Sequence, residues 1–161
     1  MTRFCLYADV LGAEANARIY DLAVTDRGRF ERSRTVHRGV DPEHRVSSVL
    51  YDDRLTDVAG LLREQVMERL GAALARLGIP AFEPGLFEIQ MTSHNDGEFF
   101  RRHTDSASAS TASRALTFVY CFHCVPTLYA GGELVFCDGG AEGGDDVVIS
   151  PDNDSPVLSD P

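Results

Sequence analysis

The sequence predicts an α+β domain in which helices buttress a β-sandwich. Three observations point there. Leu55, Val58, Leu62, Val66, Leu70 and Leu74 recur at steps of three and four, which puts them on one face of a helix. From about residue 86 the period changes to two: Phe87, Ile89 and Met91 alternate with Glu88, Gln90 and Thr92. Helical patterns come first and strand patterns after them, with no internal repeat. A chain of 161 residues is one domain by length. Residues 1–80 read as a helical support region and residues 81–161 as the β-sandwich core.

The elements follow in order. Phe4 to Val10 begins the fold, and Leu11 to Ala23 forms a short helix with Leu11, Ala15, Ile19 and Leu22 on one side. Residues 24–50 are rich in Arg, Asp, Ser and Gly and read mostly as loop, with a strand over Val46 to Tyr51. The helix from Leu55 is capped by Thr56 or Asp57 and ends at Gly78 with Pro80. It is a packing helix. Phe87 to Met91 is a half-buried strand, and Arg114 to Phe122 is a second. The latter sets Leu116, Phe118, Tyr120 and Phe122 on one side and Ala115, Thr117, Val119 and Cys121 on the other. Gly131-Gly132 is a turn leading into a strand at Glu133 to Phe136. Both strands are expected to be antiparallel. Gly139 to Gly144 is a loop, Val147 to Ile149 a short strand, and Asp152-Asn153-Asp154 a turn.

Composition excludes several functions. The apolar fraction of 43% and the charged fraction of 25% are those of an ordinary globular domain. A net charge of −10 argues against a nucleic-acid partner. No run of apolar residues is long enough to span a membrane, and Met1 to Leu11 lacks the pattern of a secretory signal. Cys5, Cys121, Cys124 and Cys137 make no dense disulfide framework, so free thiols in a cytoplasmic protein are expected. All 15 basic residues are arginine, and Arg114 is the last of them. Behind it lie only acids, from Glu133 to Asp160, which read as a solvated surface or as a sign that something basic is missing.

The chemistry centres on His103-Thr104-Asp105. In an extended segment the side chains of residues 103 and 105 project to one face, so an imidazole nitrogen and a carboxylate oxygen converge. Those donors are two-thirds of the 2-His-1-carboxylate facial triad that holds non-haem Fe(II). By itself His-x-Asp is a weak signal, and a surface pair is the plainer reading. Other candidates are weaker. Cys121, His123, Cys124 and Cys137 fall short of a closed zinc shell. His37 and His44 lie in a polar loop, and the aspartates near residues 145 and 152–154 lack calcium-loop spacing. Arg101-Arg102 reads as solvent-facing, or as a contact for an anionic substrate.

The flanks strengthen the motif. Gly97, Phe99-Phe100, His103 and Asp105 are followed by Arg114, Thr117 and Tyr120, then by Gly131-Gly132-Glu133-Leu134. This order resembles the core of the prolyl-4-hydroxylase-like branch of the Fe(II)/2-oxoglutarate-dependent dioxygenases. The resemblance covers residues 86–161, with a fainter match at His44-Arg45-Val46-Ser47. It implies a double-stranded β-helix (jelly-roll, cupin-like) core. It also implies Fe(II), 2-oxoglutarate and O2, with ascorbate as reductant, and hydroxylation of an unactivated C–H bond with release of succinate and CO2. The substrate would be a small molecule or a peptidyl side chain. His103 and Asp105 become the catalytic metal ligands. His94, Arg114, Thr117 and Cys121 become cofactor-binding positions.

Four departures qualify this. No histidine follows His123 to serve as the second metal histidine, and no basic residue follows Arg114 to hold the distal carboxylate of 2-oxoglutarate. The tyrosine of the family's Tyr-x-x-Gly is His94, and a tyrosine expected beside Tyr120 is Cys121. The expectation is a truncated or frame-shifted member whose β-helix is incomplete. The second account is a short protein that completes its site with His94, with His123 or with a partner chain. Another class of function also stands: a catalytically silent β-sandwich that binds a partner or a metal weakly. On the first account little 2-oxoglutarate turnover is expected. Val147–Ile149 and Val157-Leu158 would lie near an exposed sheet edge that favours a homodimer or aggregation.

Overall fold

A computed structural model describes residues 4–35, 39–51, 55–106, 108–137 and 146–161. His37 and the glycine-rich loop at residues 139–144 lie outside them. Within the described residues, β1 is Phe4–Leu6, α1 is Ala13–Thr25, β2 is Glu31–Arg32, β3 is Arg45–Val46 and β4 is Ser48–Leu50. Next come α2 (Leu55–Leu77), β5 (Met91–Ser93), β6 (Phe99–Phe100) and β7 (Thr117–Cys121). The chain closes with β8 (Leu134–Phe136), β9 (Val147–Ile149) and β10 (Ser155–Ser159).

The central sheet has the order β1-β10-β7, antiparallel throughout, with Leu158 opposite Cys5 on one side and Phe118 on the other. A second sheet is β2-β4-β5, and two pairs, β3-β6 and β8-β9, complete the strands. This mixture of helices and antiparallel strands is the α+β double-stranded β-helix that the sequence led us to expect. The first eighty residues do more than support it from outside, since β1 joins the central sheet.

Helix α2 positions the sheet. Its buried stripe runs from Leu55 through Val58, Leu62, Val66 and Leu70 to Leu77. Val66, Ala73 and Leu77 cluster with Cys5 and Leu158, while Val58 and Leu62 cluster with Ile19, Leu50 and Met91. The even-numbered side of β7 closes both clusters: Phe118 packs against each, Tyr120 and Phe122 against one. The helix stops where glycine allows it to. Gly78 has φ +70, the Ile79 N–H returns to Leu74 O at 3.0 Å and the Gly78 N–H to Ala75 O at 3.3 Å. Those two bonds satisfy carbonyls that the helix end would leave orphaned. At its other end Thr56 and Asp57 lie inside the first turn rather than at the cap.

Several expectations need correction. Residues 24–50 hold more than loop: half of the described residues there are irregular, but the stretch also carries a 3-10 turn at Arg27–Arg29 and the short strands β2, β3 and β4. The strand expected over Val46–Tyr51 is split at Ser47. Arg45–Val46 pairs with β6, whereas Ser48–Leu50 pairs with β2 and β5, so one continuous ladder cannot serve both. Phe87 to Ile89 forms no ladder. The alternation is still physical, because Phe87 and Ile89 pack against the core and Met91 is buried, but pairing begins only at Met91. The strand expected over Arg114–Phe122 is Thr117–Cys121, and its partner is β10, while β8 pairs with β9; all are antiparallel as expected. Val157-Leu158 does not lie at an edge. β10 is flanked on both sides and covered by α2, and all five of its residues are buried. The expected edge survives at β9, where Val148 is 61% exposed. Among the described residues no helix is long and apolar enough to cross a membrane.

Candidate metal centre

The metal motif follows β6, whose start is set by a turn at Gly97. Gly97 has φ +72, a backbone that a side chain would strain, and the Glu98 carboxylate accepts the Asn95 N–H at 2.8 Å. Arg32 then pairs with Glu98 at 2.8 Å, tying this turn to β2. Pairing with β3 fixes Phe99 and Phe100. The Arg101 N–H bonds to the His44 carbonyl at 2.9 Å, which carries the chain to residue 103 in a defined register.

His103 and Asp105 do not sit in a strand, as the alternation argument supposed, yet their side chains converge. His103 Nε2 lies 3.4 Å from Asp105 Oδ1. The Arg101 carbonyl, 2.8 Å from His103 Nδ1, accepts that nitrogen's proton. In the neutral ring the Nε2 lone pair is then left facing Asp105. Phe100 stacks on the imidazole with centroids 3.6 Å apart, and His44 meets both rings edge-on. Burial would lower the His103 pKa, but the hydrogen bond to Asp105, the Arg101 carbonyl and the Asp105 charge outweigh it and raise the value. Asp105 is lowered, first by the His103 hydrogen bond and then, against the opposing cost of burial, by Thr117 and nearby positive charge. Both side chains remain about a third exposed, at 34% and 32%, so the pair opens to solvent.

Arg114 and Thr117 are brought to this motif as supports. The Thr117 hydroxyl is placed where it helps to lower the Asp105 pKa. Arg114 Nη1 donates to the Asp105 backbone carbonyl at 3.1 Å, while its Nη2 pairs with Glu88 at 3.1 Å. Cys121 is placed elsewhere. It is at the far end of β7 from Thr117, near Asp152 and Tyr129, and burial raises its thiol pKa. His94 is exposed and is lowered by burial of its ring atoms and by the Arg45 charge. His123 is engaged with the Asn153 side chain and the Cys124 carbonyl. Among the described residues no group of three His, Cys, Asp or Glu side chains converges, so neither His94 nor His123 completes the pair, and the cysteines form no metal cluster.

Two contributors were missed from sequence. Phe100 was noted only as one of two aromatics, and Arg45 only as part of a faint match. Arg45 is 9% exposed, with its guanidinium 4.5 Å from the Phe100 ring centroid and its Nε donating to Ser47 Oγ at 2.9 Å. No local pattern in the sequence marks it, because its burial follows from the pairing of β3 with β6.

Comparison with known proteins bears on kinship and fold. No family model matches the chain. It is 34% identical over 128 residues to an uncharacterized PKHD-type hydroxylase of Synechocystis, an alignment that takes in 80% of this chain. Over that stretch the chain is similar to a PKHD-type hydroxylase. It spans 42% of the length of that relative. Among solved structures, a prolyl hydroxylase of Trichoplax adhaerens in complex with a hypoxia inducible factor peptide fragment superposes with a TM-score of 0.74. The match covers 97% of this chain and 71% of that one at 19% identity. A prolyl-4-hydroxylase of Pseudomonas putida gives 0.68 over 99% of this chain and 81% of that one, at 16% identity. At such identities the two structures speak to the fold of this chain alone.

Proposed function

We propose that the chain carries the His-x-Asp half of an Fe(II)/2-oxoglutarate-dependent oxygenase site that hydroxylates a C–H bond of a small molecule or peptidyl side chain. The observation that carries this reading is the convergence of His103 Nε2 and Asp105 Oδ1. Imidazole and carboxylate donors bind first-row metals at about 2.0–2.2 Å, so donors 3.4 Å apart can share one ion. The mixed nitrogen and oxygen donor set fits iron, and when bound iron would supply O2 activation together with the 2-oxo acid. The chain's own residues do the positioning. The Arg101 carbonyl holds the His103 tautomer, Phe100 fixes the ring plane, and Thr117 and Arg114 hold Asp105. Peptide substrates enter this proposal because the Trichoplax neighbour is complexed with one.

Anaerobic titration of the purified chain with Fe(II), or with Mn(II) as a stable substitute, tests the proposal. Saturable one-to-one binding that disappears in His103→Ala and Asp105→Ala is expected. Equal binding by the variants would overturn it. The silent metal-binding reading is favoured by one observation, that no third ligand converges among the described residues. Release of succinate from 2-oxoglutarate by the metal-loaded chain separates the two readings.

A further inference from the structure

Arg45 is the most deeply placed cation beside the candidate site, and its charge is not spent on an acid. Four other arginines near the motif are engaged. Arg32 pairs with Glu98, Arg114 pairs with Glu88, Arg101 donates to the Glu43 carbonyl at 2.6 Å, and Arg102 also has partners. Arg45 donates only through Nε, to Ser47 Oγ, and Ser47 in turn donates to Ser33 Oγ at 2.9 Å. Among the described residues nothing accepts from its Nη1 or Nη2, and no carboxylate forms an ion pair with it, although the fields of Asp105, His94 and His103 all register it. The Nη atoms are not sealed from solvent, so an incoming carboxylate can reach them and receive the two parallel N–H bonds of the fork.

The surroundings preorganise that fork. Ser33 and Ser47 are 2% and 0% exposed and sit on paired backbone, with the Ser33 N–H bonded to the Ser47 carbonyl at 3.0 Å. Ser47, itself held by Ser33, fixes Nε, and the Phe100 face supports the guanidinium plane. Phe100 also stacks on His103, so one aromatic ring links the cation to the metal motif. Resting on the functional reading above, we propose that Arg45 receives a carboxylate of the molecule that occupies this site. The site therefore takes an anionic ligand, although the chain as a whole is acidic. Two sources share that chemistry: an acidic substrate and the 2-oxo acid co-substrate.

Metal-free isothermal titration of the full chain separates the proposal from the metal reading, because it requires no ion and no turnover. The probes are succinate for the co-substrate type, N-acetyl-aspartate for the substrate type, and the methyl esters of each as uncharged controls. At least one acid should bind while its ester does not. Arg45→Gln should weaken that acid about tenfold to a hundredfold, the range for a charged hydrogen-bonded pair. Arg45→Lys keeps the charge without the fork and should recover only part of the affinity. It also stands in if the glutamine variant does not fold. The acid that responds identifies the source. Esters that bind as well as the acids, or affinity unchanged in both variants, would overturn the proposal, while Fe(II) binding dependent on His103 would leave the functional reading standing.

Discussion

Two carboxylates at opposite ends of β7 do opposite jobs. Asp154 is 5% exposed and saturated: it accepts from the Leu11 N–H at 2.9 Å, the Gly12 N–H at 2.7 Å and the Tyr120 hydroxyl at 2.8 Å. Those bonds tie the turn before β10 to the entry of α1, and Asn16, bonded to both Tyr120 and Asn153, closes the clip. Burial, and then the neighbouring Asp154 carboxylate, raise the Tyr120 pKa strongly, so the phenol stays a donor. Asp105 is held at the other end by Thr117, but one side of its carboxylate faces only His103 and solvent. A carboxylate with every lone pair engaged is a structural part. One held in place with capacity to spare is suited to a ligand.

That contrast can be broken most forcefully at Asp154. Asp154→Ala orphans two backbone N–H groups, each costing about 1–3 kcal/mol, and leaves the Tyr120 phenol with Asn16 alone, so urea denaturation should show a loss of at least about 2 kcal/mol. Fe(II) affinity measured below the transition should not change. The reverse pattern is expected of Asp105→Asn. Its metal affinity should fall by well over tenfold, while its melting curve shifts by less than about 1 kcal/mol because the His103 pair is partly exposed. If the two variants behave alike, the distinction between saturated and open carboxylates fails.

Thr117→Val sharpens the comparison within the site. It removes the hydroxyl that helps keep Asp105 ionised without touching the His103 pair, and an affinity loss of about tenfold is expected by calorimetry. pH acts through the same pair. A proton and a metal compete for His103 Nε2, and the raised His103 pKa means the proton wins at a higher pH than for a free imidazole. Metal affinity should therefore drop about tenfold per pH unit below that pKa and level off above it. A flat profile from pH 5 to 8 would show that His103 is not the ligand. The pair's own effect on folding has the usual signs. His103, raised, contributes below its unfolded pKa of about 6.5 and loses this as pH rises through the folded value. Asp105, lowered, contributes above about 3.9 and loses this as pH falls through its folded value. The smallest effect belongs to β9. If its exposed edge pairs with a second chain, light scattering will show a concentration-dependent dimer that Val148→Arg abolishes without altering metal affinity.

Sequence by itself determined the period of α2 and β7 and marked His103-Thr104-Asp105 as the candidate metal motif. The stripe on α2 and the alternation along β7 survive in the structure because burial follows period, whatever the partner. His-x-Asp was legible because two donors two residues apart need little more than an extended backbone to converge. What only the tertiary structure decided is who pairs with whom. That β10 occupies the middle of a sheet between the first strand and β7 depends on contacts far apart in the chain, and no local pattern in Ser155–Ser159 distinguishes a centre from an edge. The same holds for Arg45. Its burial, its serine clamp and its place over Phe100 come from β3 pairing with β6, more than fifty residues later, and that long-range pairing turns an ordinary arginine into part of a site.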